Sequence, residues 1–126
     1  MRSADRVRSA LESFFAGDEG PLSDLLSADA EWRGVDTPQC ECEGRDAILN
    51  RLRPCQRRGL LTRVVEAREG HDARVFVRWY GERMQERFGV PDGIASIVVT
   101  VDDGRIARIQ DYAGEQHALA GAGLAA

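Results

Sequence analysis

The sequence predicts a single α+β domain in which helices cover one face of a strongly curved antiparallel sheet. Three observations predict it. Helical periodicity dominates the first half, where Val7, Ala10, Leu11, Phe14 and Phe15 recur on one helix face. From Leu61 onward the apolar pattern changes to the two-residue period of strands. Asp103-Gly104, a dipeptide suited to a type I′ turn, separates two β-branched runs between Ile94 and Tyr112. Helices first and strands second are the order of a domain with its helices segregated to one sheet face. The 126 residues suffice for one sizeable core. The whole of 1–126 is read as one domain, with a core of about 4–114 and a tail of 115–126.

The elements follow in order. Ser3 is a candidate N-cap for the first helix, which Gly17 and Asp18 end. Gly20-Pro21 opens a short second helix with Leu22, Leu25 and Leu26 as its apolar face. Residues 30–35 read as a strand containing Trp32, and residues 36–44 as loop. Gly44-Arg45-Asp46-Ala47-Ile48 opens a third helix with Ile48, Leu52 and Cys55 inward and Pro54 disturbing its last turn. Residues 61–67 and 74–80 read as strands around a Gly70-His71-Asp72 turn. Residues 81–93 are polar and read as part strand, part loop. After the hairpin a short helix extends from Gly114 to about Ala120, and the final GAGLAA reads as frayed.

The hairpin carries the main functional clue. With a two-residue loop at Asp103-Gly104, Val101 faces Ile106, Val98 faces Ile109 and Ser96 faces Asp111. Ser96, Val98, Thr100, Ala107, Ile109 and Asp111 then share one face. A carboxylate on such a face must be paired, solvated at a cavity mouth, or shifted in pKa. A three-residue loop with a bulge would instead bring Arg108 and Gln110 to that face. The opposite face would carry Ala95, Ile97, Val99, Val101, Ile106 and Tyr112, apolar enough to predict an isologous sheet-to-sheet dimer.

Composition narrows the functional classes. Hydrophobic residues make up 43% and charged residues 30%, and no run approaches the roughly 20 apolar residues of a membrane span. The charged start, MRSADRVRSALES, lacks a secretory core, so a cytoplasmic location is expected. A net charge of −4 gives no basic field, so neither nucleic acid nor a membrane is the expected partner. All seventeen basic residues are arginine, which removes lysine Schiff-base, pyridoxal-phosphate and phosphate-loop chemistry. Three cysteines argue against a disulfide framework.

Four segments in sequence, "FFAGD", "LLSADAEWRG", "GRDAI" and "DGRIARIQDY", resemble the nuclear transport factor two-like superfamily, and within it the SnoaL-like group of bacterial proteins. The resemblance spans about residues 4–120. It implies a cone-shaped half-barrel with a hydrophobic pocket between sheet and helices, a homodimer, and no metal or organic cofactor. Members of the superfamily include ketosteroid isomerases, dehydratases, epoxide hydrolases, polyketide cyclases and non-catalytic modules, so fold alone leaves activity open. The isomerase pattern is missing here: Ala10 lies on the helix that would carry its tyrosine, about Gly34 falls where its base would be, and Ser96 near its oxyanion-hole acid. Arg78 and Asp111 match two positions of the epoxide hydrolases, while Tyr80 stands where their water-activating aspartate would be. A cyclase-type acid in the last strand also matches Asp111.

The candidate catalytic residues are therefore Asp111 as acid or base, Arg78 as a polarising group and Ser96 as a hydrogen-bond donor. The alternative for Asp111 is a structural ion pair with Arg78 or Arg33. Trp32, Phe14, Phe15, Val98, Ile109 and Tyr80 are the candidate ligand-binding residues, with core packing the competing role for the aromatics, Trp79 included. His71 reads as an exposed turn residue and His117 as a tail residue near the pocket mouth. Cys40, Cys42 and Cys55 lack the paired four-ligand pattern of structural zinc, so no metal site is expected. Arg51, Arg53, Arg57 and Arg58 read as a solvated face at the end of the third helix. The expected function is a small-molecule pocket protein for an apolar ligand, possessing acid–base chemistry of the isomerase, cyclase, dehydratase or epoxide-hydrolase type. The alternative is a non-catalytic ligand-binding or dimerisation module.

Overall fold

Helix α1 (Ser3–Phe15) forms on the predicted stripe and buries Ala4, Val7, Ala10, Leu11 and Phe14. Its N-terminus is capped from a distance rather than by Ser3. The Ala4 N–H donates to Glu69 Oε1 at 2.6 Å, placing an acceptor and a negative charge where the helix has orphan amides and a positive dipole end. In the computed structural model, residues 2–36, 41–88 and 90–124 are described, apart from the side chains of Arg87, Phe88 and Pro91.

Helix α2 (Gly20–Leu25) carries Pro21 in its first turn, where a missing N–H costs nothing. Leu26 begins strand β1 (Leu26–Gly34), and a short β2 (Cys42–Glu43) follows. Helix α3 (Arg45–Arg57) runs through Pro54 and buries Ile48, Leu49 and Leu52. β3 (Arg63–Glu69) and β4 (Arg74–Tyr80) come next. The segment after β4 is helical where strand and loop were expected: α4 (Met84–Phe88) precedes a 3₁₀ turn at Pro91–Gly93. Its polar run lacks strand alternation, and Met84 packs against the core. β5 (Ile94–Asp102), β6 (Arg105–Tyr112) and α5 (Glu115–Gly121) complete the order.

Among the described residues the sheet has six strands in the order β2-β1-β6-β5-β4-β3, curved and not closed into a barrel. The α+β class and the helix-covered curved sheet are as the sequence predicts. One pair, β1–β6, runs parallel, while the others are antiparallel. The helices α1, α2 and α3 pack on the inner face over Trp32, Val75, Val77, Trp79, Ile97, Val99, Ile106 and Ile109. The outer face is covered by α5, whose Ala118 and Leu119 meet Phe76, Val98 and Tyr112. Ala122 is fully buried and Leu124 packs on the same cluster, so the tail through 124 is docked rather than frayed.

The hairpin keeps its predicted turn and changes its register. Asp103 and Gly104 have φ of 53° and 76°, the two positive values of a type I′ turn. Val101 faces Ile106 as expected, but Thr100 then faces Arg108 and leaves Ala107 as a bulge. Beyond it Val99 faces Ile109, Ile97 faces Asp111, and Ser96 faces Tyr112. The extra residue lets Ile106 and Ile109 join Ile97, Val99 and Val101 on the buried face. That gain in apolar burial selects the register over the unbroken ladder.

Two sequence expectations are corrected, the first by this slip and the second by which face of β5 the helices cover. Asp111 does not share a face with Ser96, Val98 and Thr100. Arg108 and Gln110 hold the outer positions beside those residues instead, as in the bulged alternative. Likewise Ala95, Ile97, Val99, Val101 and Ile106 point into the core and offer no dimer surface. Val35 is the one large hydrophobic side chain left exposed among the described residues.

Candidate functional site

Asp111 lies near the end of β6 on the inner face, opposite Ile97 of β5 and Gly34 of β1. Gly34 places no side chain beside the carboxyl on β1. Two residues earlier on the same face, Trp32 of β1 pairs with Ile109. Burial pushes the Asp111 carboxyl up from 3.8 to about 6. The positive charge of Arg51, the Trp32 indole N–H and the Tyr112 backbone N–H favour its anion, and the charge of Asp36 opposes it. These compensations fall short of the water that was lost.

Neither predicted ion pair forms. Arg78 bonds Glu66 at 3.0 Å and lies 3.5 Å from Glu115 on the outer face. Arg33 reaches Glu31 at 3.1 Å and Glu43 at 2.5 Å. Among the described residues no cation stands within 4.0 Å of the Asp111 carboxylate.

An aromatic layer backs this carboxyl. The Trp32 and Trp79 rings stack at 6.1 Å and 19°, and Phe15 meets Trp79 at 6.2 Å. Phe14 meets Phe15 edge-on at 6.1 Å. Phe14, Trp32 and Ile109 are each 2–3% exposed, so they form packed wall rather than open surface. Trp32 Nε1 is buried without an acceptor in hydrogen-bonding geometry. It stays close enough to Asp111 to stabilise its charge. A buried donor left in this state costs about 1–3 kcal/mol.

Arg51 is the cation whose charge acts on the Asp111 carboxyl among the described residues. Its guanidinium carbon sits 4.9 Å from the Trp32 ring centre, a cation–π distance. The sequence reading placed it in a solvated basic face with Arg53, Arg57 and Arg58. Arg53 fits that reading better, binding Glu19 at 2.7 Å. The missed signal is spacing. Arg51 falls three residues after Ile48 and four before Cys55, on the helix face that meets the core.

The remaining candidates fall elsewhere. Ser96, Val98, Arg78 and Tyr80 occupy the outer-face register, so they neither line the inner face nor meet Asp111. Val98 is buried under α5, and Tyr80 lies under the Arg63 guanidinium at 4.7 Å. Cys42 pairs with Trp32, and burial raises its thiol pKa, which opposes thiolate chemistry. The Cys55 thiol donates to the Arg51 carbonyl at 3.6 Å. Cys40 lies outside the described residues. Among those described, no three His, Cys, Asp or Glu side chains gather as a metal-binding group. No described helix is long and apolar enough to cross a membrane. His71 is exposed in its turn, whereas His117 pairs with Asp36.

No known family profile matches the chain, and no curated protein matches it in sequence. Solved structures do match in shape. Bal32a, from a soil-derived mobile gene cassette, superposes with a TM-score of 0.67 at 23% identity, covering 95% of both chains. A Sinorhizobium meliloti protein described as a "putative polyketide cyclase" gives 0.64 at 22% identity over 87% of this chain and 98% of its own. A Xanthomonas campestris protein of cystatin-like fold gives 0.62 at 17% identity over 98% and 99%. At these identities the likeness establishes the fold.

Proposed function

We propose that this chain binds an apolar small molecule and moves a proton on it through Asp111, in chemistry of the isomerase, cyclase, dehydratase or epoxide-opening kind. The observation that carries this reading is a half-buried carboxyl on the inner face with no cation in contact among the described residues. A pKa of about 6 suits proton transfer near neutral pH. The carboxylate takes a proton from a C–H or O–H of the ligand. The carboxylic acid so formed returns it to a different atom, and the protein ends as it began. Arg51 and the free Trp32 N–H supply positive potential where charge grows on a ligand oxygen, the roles first assigned to Arg78 and Ser96. Fold neighbours described as "putative polyketide cyclase" proteins support small-molecule chemistry as the class.

The near-complete burial of Phe14, Trp32 and Ile109 favours a second reading, a binding module without turnover. A bicyclic ketone with acidic α-protons, 2-tetralone, separates the two. Proton–deuterium exchange at its α-carbon is followed in heavy water near neutrality, with binding monitored by quenching of tryptophan fluorescence. The proposal expects exchange above the buffer rate in the wild type and a loss of about 100-fold or more of that enhancement in Asp111→Asn. Quenching with identical exchange in both proteins would replace it with the module reading.

A further inference from the structure

Beyond Gly34, β1 stays attached to β6 by an exchange of partners. The Val35 N–H donates to the Asp111 carbonyl at 2.9 Å, extending the parallel ladder. One step later a side chain supplies the acceptor, and the Ala113 N–H donates to Asp36 Oδ1 at 2.7 Å. The other oxygen of Asp36 meets Nδ1 of His117 in α5. One carboxylate thus ties together the end of β1, the end of β6 and the tail helix. It also lies alongside residues 111–113, within electrostatic reach of the inner carboxyl.

We propose that Asp36 and His117 form a positioning pair for Asp111, through which the docked tail helix sets how firmly the inner carboxyl holds its proton. This inference rests on the reading of Asp111 as the acid–base group. The groups acting on Asp111 are Arg51 from α3, Trp32 from β1, Asp36 beyond β1 and the Tyr112 N–H on its own strand. Those acting on Asp36 are His117 from α5 and the Ala113 N–H, which hold its carboxyl below the usual carboxylate range. Asp36 therefore stays ionised while Asp111 titrates, and its negative charge opposes a second anion nearby. The hydrogen bond from His117 draws on the Asp36 carboxylate and weakens the effect. Two neighbouring carboxyls with divergent proton affinities are the usual arrangement for dividing acid and base roles.

Carboxyl carbon-13 NMR titration of the ligand-free protein tests the pair in wild type, Asp36→Asn and His117→Gln. Asparagine keeps an acceptor for the Ala113 N–H, and the His117 side chain is 71% exposed, so neither change disturbs the core. The Asp111 midpoint should fall by about 0.5 pH unit in Asp36→Asn and rise in His117→Gln. A midpoint unmoved in both, or displaced in the same direction by both, overturns the pair. If Asp36→Asn does not fold, the rise in His117→Gln decides alone. A wild-type midpoint near 4 would instead remove the acid–base reading of Asp111 itself, and so the two failures are distinguishable.

Discussion

Asp111 and Asp36 are carboxylates of one small region with opposite fates. Asp36 exchanges its water for two donors and is held low, whereas Asp111 loses water with weaker compensation and is raised. The acid itself was legible in the sequence, because a lone carboxylate in an alternating apolar strand demands an explanation. Its neighbours were not. Arg51 acts on it from another element, Ser96 shares its face only in an unbulged register, and Arg78 is tied to it only through the resemblance. Arg51→Gln removes the nearest stabilising charge, so the Asp111 midpoint should move further above the ordinary carboxylate range. Carboxyl NMR titration checks this, and a downward displacement would reverse the assigned sign.

Most elements were readable because local pattern and tertiary burial agree, as at α1, α2, β4 and the Asp103-Gly104 turn. The bulge at Ala107 was not assignable from turn chemistry, since it answers to the burial of Ile106 and Ile109 together. The tail helix is legible in the sequence but its role is not, because its partners Phe76 and Val98 come from strands remote in sequence. A Cβ on Gly121 would overlap the Tyr112 hydroxyl, so α5 sits on the outer face with no room to spare there. Gly121→Ala should therefore cost about 1–3 kcal/mol, the usual range for overpacking. Urea unfolding measures it, and an unchanged midpoint would show that α5 is not part of the cooperative fold.

For the whole molecule, a half-buried acid that holds its proton more tightly in the folded chain links folding to pH. The unfolded chain releases this proton near 3.8 and the folded chain near 6. Stability contributed at Asp111 is therefore greatest below pH 4, falls as pH rises through 6, and is lowest above it. The full difference is up to about 3 kcal/mol, a penalty of the kind tolerated at functional sites. The most direct measurement is urea unfolding of wild type and Asp111→Asn at pH 4 and pH 7.5. The asparagine variant should be more stable than wild type at pH 7.5, by about 1–3 kcal/mol, with the advantage largely gone at pH 4. A variant equal to wild type, or less stable, at pH 7.5 would mean that the Asp111 carboxylate is satisfied in the fold, and would contradict its assignment as the working acid.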